Sequence, residues 1–85
     1  MYYYIIKDKN TGNYYRGKGV NRWGKFYNQA SIFRVLGQAT ESLEHVKNTR
    51  KFHNELEVDP VIVRIVITEV EELEAWNILR HFIFS

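Results

Sequence analysis

Tyr2-Tyr3-Tyr4-Ile5-Ile6-Lys7, Asp8-Lys9-Asn10-Thr11-Gly12 and Asn13-Tyr14-Tyr15-Arg16 follow one another near the start of the chain. The first and last of these runs are rich in aromatic and β-branched residues, which fit a pleated, half-buried surface. The middle run is polar and carries Asn10 and Gly12, residues that tolerate positive φ. Two such runs around such a turn predict an N-terminal β-hairpin.

Working outward, Gly17-Lys18-Gly19-Val20-Asn21-Arg22-Trp23-Gly24-Lys25 is too glycine-rich for regular structure and is expected to be a loop carrying three cations and a Trp. Gln29 to Arg34 predicts a short strand, with Ala30, Ile32 and Arg34 on one face and Ser31 and Phe33 on the other. Leu36, Ala39, Leu43 and Val46 recur at helical spacing, so a helix is expected from Leu36 or Gln38. Glu41 and Glu44 early and Lys47, Arg50 and Lys51 late have the polarity that a helix dipole favours.

Asp59-Pro60 closes a polar connection, and Pro60 can stand at the first position of the next strand. Val61 to Thr68 is apolar on both faces except for Arg64, the pattern of a central, most buried strand. Thr68-Glu69-Val70-Glu71 matches a capping box, and Leu73, Trp76, Leu79 or Arg80, and Ile83 then share one helical face. The rival reading extends the strand through Val70 to Leu73. The expected fold is α+β: one domain over residues 1–85, a small, mainly antiparallel sheet of the hairpin plus two further strands, and one or two helices on one face.

Composition narrows the function classes. The chain has 85 residues, no Cys, and 45% hydrophobic and 15% aromatic residues. Neither disulfides nor thiolate zinc can stabilise it, which makes self-association an expected supplement to a thin margin. Trp76, Phe82, Ile83 and Phe84 form the expected oligomer interface, since the C-terminal stretch holds more apolar surface than one side of a small sheet covers. Nothing reads as a signal peptide or a bilayer span, so a cytoplasmic protein is expected. Net charge is +2 but uneven. Residues 1–36 hold seven cations against Asp8 alone, and residues 37–85 hold five against nine acids. That division favours an anionic ligand at the first half, or head-to-tail contact between copies.

Catalytic signatures fail on inspection. Gly19-Val20-Asn21-Arg22-Trp23-Gly24-Lys25 fits G-x-x-x-x-G-K, but Phe26 stands where a phosphate loop needs Ser or Thr for magnesium. The paired tyrosines of the hairpin loosely resemble those of GIY-YIG nucleases. However, the first glycine of that motif is missing, Arg16 replaces the isoleucine, and no Glu is placed to hold a metal. His45, His53 and His81 have no nucleophile or companion ligands, and Glu69, Glu71, Glu72 and Glu74 read as a helix N-terminus. No enzyme, metal or cofactor is expected.

What stands above background is the density of aromatics and cations between Tyr14 and Asn28. Planar rings beside guanidinium and ammonium groups are what bases and phosphates require. Arg16, Lys18, Arg22, Trp23, Lys25 and Tyr27 are the expected ligand-binding residues.

The succession Tyr3-Tyr4-Ile5-Ile6-Lys7-Asp8-Lys9, Tyr14-Tyr15-Arg16-Gly17, Asn21-Arg22-Trp23 and Ala30-Ser31-Ile32-Phe33 resembles short accessory proteins of phages and prophages. The resemblance implies a phage protein acting in the bacterial host cytoplasm and carries over no activity or catalytic residue. By analogy with such proteins, the expected role is counter-defence by sequestering an anionic nucleotide. An inhibitor that binds a host defence protein directly and a small nucleic-acid-binding protein are the alternatives.

Overall fold

A computed structural model of the chain describes residues 2–66. They form a four-stranded antiparallel sheet with one helix packed against it, the α+β arrangement expected from the sequence. The strands are β1 (Tyr2–Asp8), β2 (Tyr14–Tyr15), β3 (Trp23–Gly24) and β4 (Pro60–Val66), in the spatial order β3-β2-β1-β4, and the helix α1 spans Leu36–Thr49. The C-terminal capping box, the second helix and Trp76, Phe82, Ile83 and Phe84 lie outside the described residues. No described helix is long and apolar enough to cross a membrane.

The hairpin forms where the aromatic runs predict it, with Lys7 opposite Tyr14. Its turn is organised by Asp8. Oδ1 accepts the backbone N–H groups of Asn10 and Asp59, each at 3.0 Å, and Oδ2 accepts the Thr11 hydroxyl at 2.6 Å. Gly12 takes the positive φ of 79°, which a Cβ would penalise. Asn10 does not, and instead donates its side-chain amide to the Glu57 carbonyl. Asp8 thereby ties the hairpin turn to the entry of β4, 51 residues away in sequence.

Side-chain alternation sorts the sheet into two faces. Ile6 and Tyr15 point to the face that α1 covers and form the core with Val46, while Trp23, Phe33, Leu43 and Ile62 pack around them. Ile6, directly opposite Ile62, is 0% exposed. Truncating it to Ala is expected to cost about 2–5 kcal/mol, because this small core has little material to collapse into the cavity. A urea midpoint shift at unchanged slope measures that loss.

Four local expectations need correction. β4 lies at the edge of the described sheet, half-buried over most of its length, and β1 is central. An apolar run on both faces looks alike at either position, and only pairing separates them. Trp23–Gly24, expected in a loop, pairs with β2 through Tyr15↔Trp23 and Tyr14↔Gly24. Residues 29–34 contribute only a bridge between Phe33 and Tyr4, with Phe33 turned to the core and Ile32 exposed. α1 begins at Leu36 behind a Val35 cap without a side-chain bond, so no acid lies in its first turn, and Lys47 alone complements its last turn.

Candidate anion-binding face

The loop joining β2 to β3 is fastened at its base. The Arg16 N–H donates to the Arg22 carbonyl at 2.7 Å, and the Ser31 hydroxyl donates to the Arg16 carbonyl at 2.7 Å. Gly17 and Gly19, at φ 127° and 132°, let the chain turn sharply between these points. Lys18, Gly19, Val20 and Asn21 are exposed at the tip, and Val20 is 98% exposed.

Arg22 does not face solvent. Its side chain is 0% exposed and runs inward beneath the sheet to Glu55, with Nη2 at 2.7 Å and Nε at 3.0 Å from Oε1. Nη1 donates to the Thr49 hydroxyl at 2.6 Å and Nη2 to the Val46 carbonyl. The guanidinium therefore links the β2–β3 loop, the C-terminal turn of α1 and the following connection. Neighbouring Tyr15 has its phenol pKa raised by burial, an effect that Arg22 opposes and Glu55 reinforces.

Trp23 is likewise turned inward. It meets Tyr15 edge-on, with centroids 5.9 Å apart, and its indole N–H is buried with no acceptor among the described residues. It is a core residue, not a free stacking platform. The causes differ: strand alternation in β3 sends Trp23 to the α1 face, whereas Arg22, just before the strand, is drawn inward by Glu55, Thr49 and the Val46 carbonyl.

The other expected residues stay outside. Arg16, Lys18 and Lys25 are exposed, and among the described residues none has a carboxylate within ion-pair distance. Tyr27 is 55% exposed and meets Tyr14 edge-to-face, with centroids 5.7 Å apart. Lys7 places its Nζ 5.5 Å from the centroid of the Tyr14 ring. Gly24 completes this face. A Cβ there would come within 2.9 Å of Arg16 Cδ and 2.5 Å of Gln29 Oε1, so the missing side chain is what lets Arg16 cross the strand beside Tyr14.

Lys7, Tyr14, Arg16 and Tyr27 are thus gathered on the sheet face away from α1, while Lys18 and Lys25 are exposed in the β2–β3 loop and just after β3. Comparison with family models, curated proteins and solved structures found no match. The site therefore rests on its own chemistry. Lys7 and Tyr14 were absent from the expected ligand set. The signal that could have placed them was the alternation of Tyr14 and Tyr15, which sends one ring to the core and the other outward beside Lys7. Among the described residues no three His, Asp or Glu side chains converge as a metal site would require.

Proposed function

We propose that this protein is a non-catalytic binding module that holds an anionic nucleotide on the Tyr14–Tyr27 face of its sheet. The observation that carries the reading is the exposure of Arg16, Lys18 and Lys25, none of them paired with a carboxylate among the described residues, together with the exposed ring of Tyr27. Unpaired cations favour phosphate, with Arg16 able to make a bidentate contact. An edge-braced tyrosine offers a flat surface to a base. The resemblance to short phage proteins supports a counter-defence setting in a bacterial cytoplasm, in which binding alone would sequester a signal.

A second reading is inhibition of a host protein by direct contact, favoured by exposed Phe26, Ile32, Val35 and Leu36 along one stretch of chain. Long nucleic acid is disfavoured by the acids of the second half, which repel an extended phosphate backbone.

Calorimetry with adenosine and guanosine mono- and triphosphates and with a cyclic dinucleotide tests the proposal. Arg16→Ala is expected to weaken binding by about 1–2 kcal/mol, the range of one charge-assisted bond at a wet site. Tyr27→Ala is expected to cost about 1–3 kcal/mol through lost stacking. Absence of heat with every nucleotide would overturn the reading, as would affinity that grows with oligonucleotide length.

A further inference from the structure

We propose that the outer edge of β4 is a self-pairing seam, across which two copies of this chain join antiparallel into one continuous sheet. The inference is independent of the ligand, because β4 lies at the opposite end of the sheet from β3 and its loop.

The backbone shows which groups face outward. Tyr4 exchanges both its N–H and its C=O with Phe33, at 2.8 Å each, on the side of β1 away from β4. Asp8 likewise donates its N–H to Asn13 on that side. Residues opposite these in an antiparallel pair direct their own backbone groups away from β1. The register Tyr4↔Arg64, Ile6↔Ile62 and Tyr2↔Val66 therefore turns the N–H and C=O of Ile62, Arg64 and Val66 to the outer edge. Among the described residues no strand pairs with them.

Edge strands in monomeric proteins are guarded by charge, bulges, Pro or short length. β4 runs for seven residues, five of them Val or Ile, and Pro60 occupies only its first position. Its one charge does not guard the edge: the Arg64 guanidinium leans back over the ring of Tyr2 on β1, 4.8 Å from its centroid. The other edge, β3, is two residues long and offers little to pair with.

A second copy fits this edge because an antiparallel strand is complementary to itself about a two-fold axis. The 85-residue, cysteine-free chain also gains from burial between copies. Charge selects the register. Centring the axis on Arg64 would set two guanidinium groups directly opposite on one face, which is unfavourable. Centring it on Val63 places Ile62 of one copy opposite Arg64 of the other, and the outward groups of both are exchanged.

Light scattering after size exclusion should give twice the 10.2 kDa chain mass. A mass of one chain overturns the proposal. Arg64→Pro removes an outward N–H while sparing the β1 ladder, and is expected to return the mass to that of one chain with the fold intact. A folded Arg64→Pro dimer would assign the interface elsewhere, to residues beyond Val66 for example, and overturn the seam. Should that variant fail to fold, Val63→Cys decides, since the chain has no other thiol. Across the axis the two Cα atoms would be about 4.5 Å apart, at the short end of the roughly 4.4–6.8 Å that a disulfide spans. Oxidation by diamide should crosslink most of the protein, and a failure to crosslink beyond an Asn48→Cys control overturns the register and with it the proposal.

Discussion

Arg22→Ala should unfold the protein or bring it close to unfolding. The substitution removes the only ion-pair partner Glu55 has among the described residues, at a carboxylate whose side chain is 14% exposed. It also strips the Thr49 hydroxyl and the Val46 carbonyl of a donor. Breaking a buried pair from one side costs about 3–5 kcal/mol, because the remaining charge stays desolvated without compensation. A domain of this length has a total stability of about 4–13 kcal/mol, at roughly 0.05–0.15 kcal/mol per residue. The loss is therefore a large share of the whole. Arg22→Lys keeps a charge but not the planar fork that reaches Glu55, Thr49 and Val46 together, so only partial recovery is expected. Arg22→Met with Glu55→Leu removes both charges and should lie far closer to wild type than either single change. Chemical denaturation followed by circular dichroism measures all six proteins, the single changes Arg22→Met and Glu55→Leu included. A wild-type midpoint for Arg22→Ala, with nucleotide binding lost, would return Arg22 to the ligand face.

The reversal at Arg22 shows what was legible in the chain and what was not. Signals local in sequence were legible: the aromatic runs around Asp8–Gly12 became the hairpin, and Leu36, Ala39, Leu43 and Val46 marked one helix with its buried stripe. A cation in a glycine-rich loop, by contrast, looks solvated until its partner is known. Glu55 lies 33 residues later, in a polar connection with no pattern of its own. β3 was hidden for a similar reason. Two residues with a glycine have no period, and only the neighbouring Tyr14 and Tyr15 make them a strand. Arg16, Lys18, Lys25 and Tyr27 remained available at the surface because the loop base, once anchored through Arg22, leaves those side chains outside.

The anchoring also relates stability to the proposed binding. The candidate face is assembled from β1, β2 and the segment after β3, and two buried polar residues fasten its ends, Arg22 to α1 and the Glu55 connection and Asp8 to the hairpin turn and the entry of β4. Arg22 holds the loop end, and Asp8 holds the other. Variants at either position should lower affinity only as far as they lower the folded population, whereas Arg16→Ala and Tyr27→Ala should lower affinity at constant stability. Measuring both quantities on the same samples separates the two classes.

Asp8→Ala is the second substitution with a large expected effect, and its pH dependence makes it diagnostic. The carboxylate is nearly fully buried, and burial alone would raise its pKa. Hydrogen bonds from Thr11, Asp59 and Asn10 outweigh that and hold it below the ordinary value of 3.8. A carboxyl whose folded pKa is depressed contributes stability that is present above its unfolded pKa and is lost as pH falls through the folded one. Asp8 thus supports the fold at neutral pH, and its contribution declines once pH drops below about 3.8. Removing the side chain leaves the Asn10 and Asp59 N–H groups without their acceptor and frees the turn from the entry of β4, an expected loss of about 2–4 kcal/mol. Asp8→Asn keeps an oxygen where Oδ1 accepts both N–H groups, and its amide can donate to the Thr11 hydroxyl in place of the bond received at Oδ2. It should cost only about 1 kcal/mol at neutral pH, the difference between a charge-assisted and a neutral set of bonds. The acid limb of the stability curve should also flatten, since position 8 no longer titrates. Urea midpoints collected from pH 7 down to pH 2 for wild type, Asp8→Asn and Asp8→Ala test this. Parallel acid limbs for wild type and Asp8→Asn would show that another carboxyl governs acid unfolding, and a small effect of Asp8→Ala at pH 7 would show that the turn does not depend on these bonds.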